Sequence, residues 1–440
     1  MQCSVILFAV FVFANYSYGA SFFYTCGGEN GKITLVEVEN DTGTVTRHES
    51  LNAELPSDPK KLAVSADGNN VVITSEQSQK VAVVQVNPDV QLLATLDVDE
   101  ATSDVCPWND FAILAAEHGA FYKINLKNGE IAKTWNARQG LTPSGHKGES
   151  ILPLPDKSLA LVSFQKDSKK GKHLGSRLVV LDLDSFSAKY DLQLPRDHPE
   201  LHVQGNEKEQ GPNPEVVLIA PKSDTVILTL DLYGGIAFAK LSSALDGKLE
   251  KLQYVSSALD GSWGKSFPDR ASLFEVGGKE YLLVSNASPD GGLALFDVAN
   301  RKVIQKFEAA SGCETPILLQ ASSRLVTSVS GKIKSRDAGK VEKSSSPEND
   351  LLVFDVASLA DGREAKVERI AFDKPVMLVE SINPLKNDLL LLVLGDTESE
   401  ILVYDLAARK ILHSEPAKGK ISRIAVGNAR STPDVASSHP

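Results

Sequence analysis

One short apolar phrase recurs along this chain: ITLVEV from Ile33, VAVVQV from Val81, AFYKINL from Ala120, LVVLDL from Leu178, IAFAKL from Ile236, LALFDV from Leu293, LLVFDV from Leu351 and ILVYDL from Ile401. Each reads as a strand, because β-branched and aromatic residues dominate it and turn residues bound it. A second apolar run precedes every copy, at Phe22–Cys26, Val71–Thr74, Phe111–Ala115, Leu159–Ser163, Val226–Leu230, Tyr281–Ser285, Leu325–Ser328 and Leu389–Leu394. Short continuous apolar runs of this length suit strands buried on both faces. A lone meander cannot cover both of its faces, so each unit needs neighbours of its own kind to pack against.

The clearest unit is Lys60–Val98, four runs cut by Asp67-Gly68-Asn69, Ser75–Gln79 and Asn87-Pro88-Asp89, which is turn chemistry. An innermost run can be placed before seven of the paired phrases, at Leu62–Ser65, Ser103–Cys106, Glu149–Leu152, Val216–Ala220, Ser272–Glu275, Pro316–Leu319 and Val376–Val379. The first unit has no room for one, whereas Ile421–Val426 is left over after the last unit. It is expected to return and complete the first, removing exposed sheet edges. The fold class is therefore all-β: a single β-propeller of four-stranded blades, eight in number with seven as the alternative, closed by a C-terminal strand in the first blade. No window of 12 or more residues carries a clean 3.6 period, which disfavours parallel βαβ units.

The apolar run Val5–Ala14, followed by Ser17, Gly19 and Ala20, reads as the core and cleavage region of a signal peptide over residues 1–20. The propeller is expected over 21–428 and a disordered polar tail over 429–440. The mature protein is expected to be secreted, or periplasmic in a bacterium, with no membrane span and as a monomer. A net charge of −11 argues against nucleic acid as the partner. Cys26, Cys106 and Cys313 are too few and too scattered for a disulfide scaffold. The sequons at Asn40 and Asn286 fall in expected turns, which would suit glycosylation.

In a propeller the turns between second and third strands and the connections between blades share one face. The long insertions fall there, at Phe164–Ser176, Arg196–Pro214, Ser256–Arg270 and Val329–Asp350, while the opposite face is expected to carry short turns. Loops on a rigid scaffold are where binding groups concentrate. Candidate ligand-binding residues on the insertion-bearing face are His146, Glu149, Glu215, Asp231, Trp263 and Arg270. His198-Pro-Glu-Leu-His202 sets two imidazoles four residues apart with Glu200 between them, a spacing that can converge on zinc. With His118, those residues form the candidate metal set; zinc is the one cofactor suggested and none is required. No GxSxG, P-loop, strand-to-helix GxGxxG or calcium-loop pattern occurs.

The units LAVSADGNNVVITSEQSQKVAVVQV, LLVFDV and ILVYDL resemble the YVTN-type repeats of secreted and periplasmic propellers. FFYTCGGENGKITLVEVENDTGTVT and the stretch from Asn213 to Ser257 look like the 6-phosphogluconolactonase-type lactonase family. That family's paired-histidine and Arg-His segments are missing, with Asn213-Pro214-Glu215 where the Arg-His would fall, so the resemblance implies its fold and not its activity. Eight units and clustered histidines also resemble the propeller zinc chaperones, whose His-rich N-terminal segment is absent. The reading is a non-catalytic module that binds a small-molecule ligand or a protein partner through its insertion-bearing face. The alternatives are a lactonase-type hydrolase of a small lactone or sugar acid, and a zinc-binding propeller.

Overall fold

The structure is a computed structural model that describes residues 20–26, 32–39, 42–51, 55–56, 59–65, 67–75, 78–86, 89–137, 146–154, 157–166, 176–195, 212–231, 233–259, 261, 263, 268–286, 292–308, 315–329, 332–334, 341–343, 349–382, 386–417 and 419–427. These fold into eight four-stranded antiparallel sheets arranged as blades. Blade two shows the plan, running outward in chain order through Pro59–Val64, Asn70–Ser75, Lys80–Gln85 and Gln91–Asp97. Its middle strands are almost wholly buried and its outermost strand is not. Blade-to-blade packing explains this, because a middle strand has a neighbour on both faces and the outermost strand borders solvent.

The innermost strands of blades one to eight are Ile421–Gly427, Pro59–Val64, Thr102–Trp108, His146–Leu154, Pro214–Ala220, Pro268–Val276, Ile317–Leu319 and Val376–Ser381. Each touches the next around the ring, and the last touches the first. Ring closure is as the sequence implied. Ile421–Gly427 pairs antiparallel with Ala20–Cys26, so the first blade takes one strand from the far end of the chain. Eight blades are present and seven is excluded.

Three expectations need correction. The segment Val329–Asp350 contains a small hairpin, Lys332–Lys334 with Val341–Lys343, inserted between the second and third strands of blade seven. The opposite face also carries more than short turns: the helix Leu241–Leu245 in blade five and the 3-10 turn Ala357–Asp361 in blade seven join third to fourth strands there. Asn286 departs from the expected turn as well. It ends the strand Lys279–Asn286, is fully buried, and exchanges hydrogen bonds with the hydroxyl and carbonyl of Ser257 at 2.9 and 3.1 Å, which leaves its amide unsuited to carry a glycan. Residues 1–19, 428–440 and Asn40 lie outside the described residues.

Candidate functional site

Seven of the eight innermost strands carry a β-bulge at the same height, close to the insertion-bearing face. The extra residue is Ser422, Lys60, Ser103, Glu149, Asp269 or Met377 in six blades, and in blade five Glu215 and Val216 oppose Thr229 alone. A bulge frees backbone groups from the ladder and re-aims side chains. Around the blade-five bulge, buried hydroxyls at that height take up the freed groups. Thr74, Ser163, Thr229, Ser285 and Ser328 occupy equivalent positions on the second strands, all buried. Thr229 Oγ1 accepts the Val216 N–H at 3.0 Å, and Ser163 Oγ donates to the Glu215 carbonyl of the next blade at 3.0 Å. Blade three has Ala115 at this position, and Ser103 Oγ from the bulge donates instead to the Gly148 carbonyl of blade four.

This collar sets four charged side chains at the mouth of blades three to five. Lys147 Nζ lies 3.0 Å from Glu149 and 3.2 Å from Glu117, which stands in the turn after the second strand of blade three. Burial alone would favour loss of the lysine proton, but Glu149, Glu117 and Glu215 outweigh it and hold the pKa of Lys147 above the ordinary lysine value. Gln165 on the second strand of blade four donates to the Glu215 carboxylate, which ties blade four to blade five. Asp104 does the same lower down: it accepts the Ile151 N–H at 3.0 Å and lies 3.6 Å from Lys61 of blade two. Three carboxylates around one amine give this cluster a net negative charge.

Of the sequence-derived candidates, Glu149 and Glu215 are brought together here. His146 opens the innermost strand of blade four, opposite Lys166, with its side chain outside the described residues. Asp231 and Arg270 are half-buried at the same face, in the turn after the second strand of blade five and opposite Ser285 in blade six. Trp263 packs over Gly235 with the interior cluster of blades four and five, so its ring fills space beneath the connection. His118 donates its backbone N–H to Glu100 at 2.9 Å. His198, Glu200 and His202 lie outside the described residues. Among the described residues no three His, Cys, Asp or Glu side chains are arranged to hold a metal ion. Sequence reasoning passed over Lys147, Glu117 and Gln165; they share no periodicity, and only their bulged neighbours bring them together.

The ring of eight blades and its polar collar define a β-propeller with one elaborated face. No protein-family model matches the chain, and no curated protein does. Among solved structures it is similar to the dihydro-heme d1 dehydrogenase NirN in complex with DHE, with TM-score 0.67 and 13% identity over 92% of this chain and 74% of that one. It is also similar to apo AztD from Citrobacter koseri, with TM-score 0.58 and 12% identity over 94% of this chain and 100% of that one. BamB from Moraxella catarrhalis gives TM-score 0.50 and 11% identity over 84% and 88% of the two chains. Identities this low carry the propeller fold and nothing about activity.

Proposed function

We propose that this chain is an exported, YVTN-type propeller that binds a partner through its insertion-bearing face and does no chemistry of its own. The observation that supports this reading is the Lys147 cluster, in which the amine is already committed to Glu117 and Glu149. A lysine held protonated is neither a nucleophile nor a base. The surplus of carboxylates favours a ligand or protein segment that presents a cationic group, and binding should weaken as salt rises.

The test is capture of partners from the extracellular fluid of the source on immobilised wild-type chain. Beside it run Glu149→Gln/Glu215→Gln at the mouth and Lys127→Ala on the opposite face, where Lys127 pairs with Asp110 on the surface. A partner lost with the first variant and kept with the second supports the reading. A partner indifferent to the mouth variant, or turnover of small lactones by the wild type, would replace it.

A further inference from the structure

Blades diverge as they leave the axis, so at each seam something has to bridge the gap between outermost strands. At five seams the same position does so, the outermost-strand residue that opposes the third strand at Val83, Lys123, Val180, Leu295 or Val353. Two of these residues bridge by packing. Ala94 and Tyr190 lie against Gly129 and Gly247 of the next blades, where an added Cβ would fall 2.5 and 2.8 Å from them. The other three bridge by polar contacts: Lys133 donates to the Asp184 carbonyl, Gln305 exchanges hydrogen bonds of 2.9 Å with the Ala365 carbonyl and N–H, and Glu368 pairs with Arg409. On the last blade the equivalent residue is His413, opposite Val403. Its Nε2 is enclosed and has no hydrogen-bond partner, lying 3.5 Å from Glu415 Oε2 of its own strand.

A pocket of about 460 Å³ stands at this seam, between Val45–Ser50 of blade one and Lys410–Pro416 of blade eight. Its size suits a small ligand. Gly43, Val45 and Leu412 give it an apolar lining. Lys410, His413 and Glu415 share the strand face toward blade one, for they oppose Asp405, Val403 and Ile401, and the last two pack with Val36 and Val38. Glu415 Oε1 lies 2.9 Å from His48 Nδ1 across the seam. A carboxylate offers about four lone-pair sites, so that contact leaves room for another donor. Lys410 is exposed and, among the described residues, unpaired. Four ladder steps, about 13 Å of strand, separate it from Glu415.

We propose that this pocket is a second binding site, separate from the mouth, and that it takes a short zwitterionic chain: an extended peptide of about three residues with both ends free. Such a peptide spans about 10 Å, and the flexible four-carbon stem of Lys410 covers the remaining distance. The peptide carboxylate meets the Lys410 ammonium, and its terminal ammonium meets Glu415 beside His48. An apolar middle side chain rests on Leu412 and Val45. The peptide backbone supplies the hydrogen bond that His413 Nε2 lacks. A cation and a carboxylate set at opposite ends of one pocket also fix the direction of the chain and disfavour a molecule that carries only one of the two charges.

The test is saturation-transfer NMR on the full chain with the free tripeptide Gly-Leu-Gly as probe, titrated to give an affinity. Wild-type protein should transfer saturation to the leucine methyls. Lys410→Ala and Glu415→Gln should each weaken binding at least fivefold, and so should blocking both ends of the peptide by acetylation and amidation. Glu149→Gln/Glu215→Gln at the mouth should leave the affinity unchanged. Lys410 is exposed, so its variant reports on binding without a burden on folding. Absence of transfer in the wild type overturns the proposal. So does an affinity that survives Lys410→Ala, Glu415→Gln or the blocked ends, or one that is lost with the mouth variant.

Discussion

One carboxylate oxygen of Glu100 accepts the backbone N–H of His118 at 2.9 Å and of Ala120 at 3.1 Å. Glu100 is buried on the connection from blade two to blade three, and the turn it holds is the one that presents Glu117 to the mouth. Glu100→Ala leaves two turn donors without their acceptor and should cost about 2 kcal/mol. Glu100→Gln keeps an acceptor oxygen and should cost about half as much. Urea unfolding of the two variants checks both the loss and its order.

Lys147→Met is expected to destabilise the fold by about 1–2 kcal/mol, because it leaves Glu117, Glu149 and Glu215 facing one another without the amine. Adding Glu149→Gln should restore part of the loss, with a coupling of about 1 kcal/mol in the double-mutant cycle. Additive losses would mean that the four groups do not act as one cluster.

Gly235 has no room for a side chain. A Cβ there would lie 2.4 Å from the Trp263 ring and 2.6 Å from the Val255 carbonyl oxygen on the neighbouring strand. Gly235→Ala should cost about 2 kcal/mol or more by overpacking. Removing the ring with Trp263→Ala should not restore the stability of Gly235→Ala, since the backbone contact remains. Thermal melts of the single and double variants decide this.

Cys106 is a free thiol on the innermost strand of blade three, and burial together with Asp104 pushes its pKa up to about 12. The thiolate is the reactive form, so the native protein should resist alkylation at this position at pH 8. The same reagent should label Cys106 readily after denaturation. Mass-spectrometric mapping of the peptide before and after unfolding provides the readout.

Most of the architecture is legible in the sequence because it rests on burial of whole strands. Leu389–Leu394 is buried at every position, and such a run announces itself. The outermost strands are harder to read, as Lys366–Ala371 shows with exposed residues at nearly every position. The mouth is harder still. Glu149 and Glu215 were identifiable as polar groups near strand starts, but the bulges that expose them follow from backbone register, and Lys147 meets Glu117 through a contact between blades. The seam pairing of His48 with Glu415 joins residues near opposite ends of the chain, and no local pattern encodes it. The hairpin at Lys332–Lys334 is hidden because its strands are three residues long and mostly charged.

Borrowing Ile421–Gly427 to finish the first blade also sets an order of events during synthesis. Blades two to eight can each assemble from contiguous chain as it emerges, whereas Ala20–Cys26 must wait with one edge open until the last of these strands has been made. Joining the ends across so long a span adds little entropic cost beyond that of a shorter loop, since the penalty grows only with the logarithm of length. The larger burden is time: the earliest-made blade is the last to become whole, and its unpaired edge is the place where a chaperone or a second nascent chain would compete.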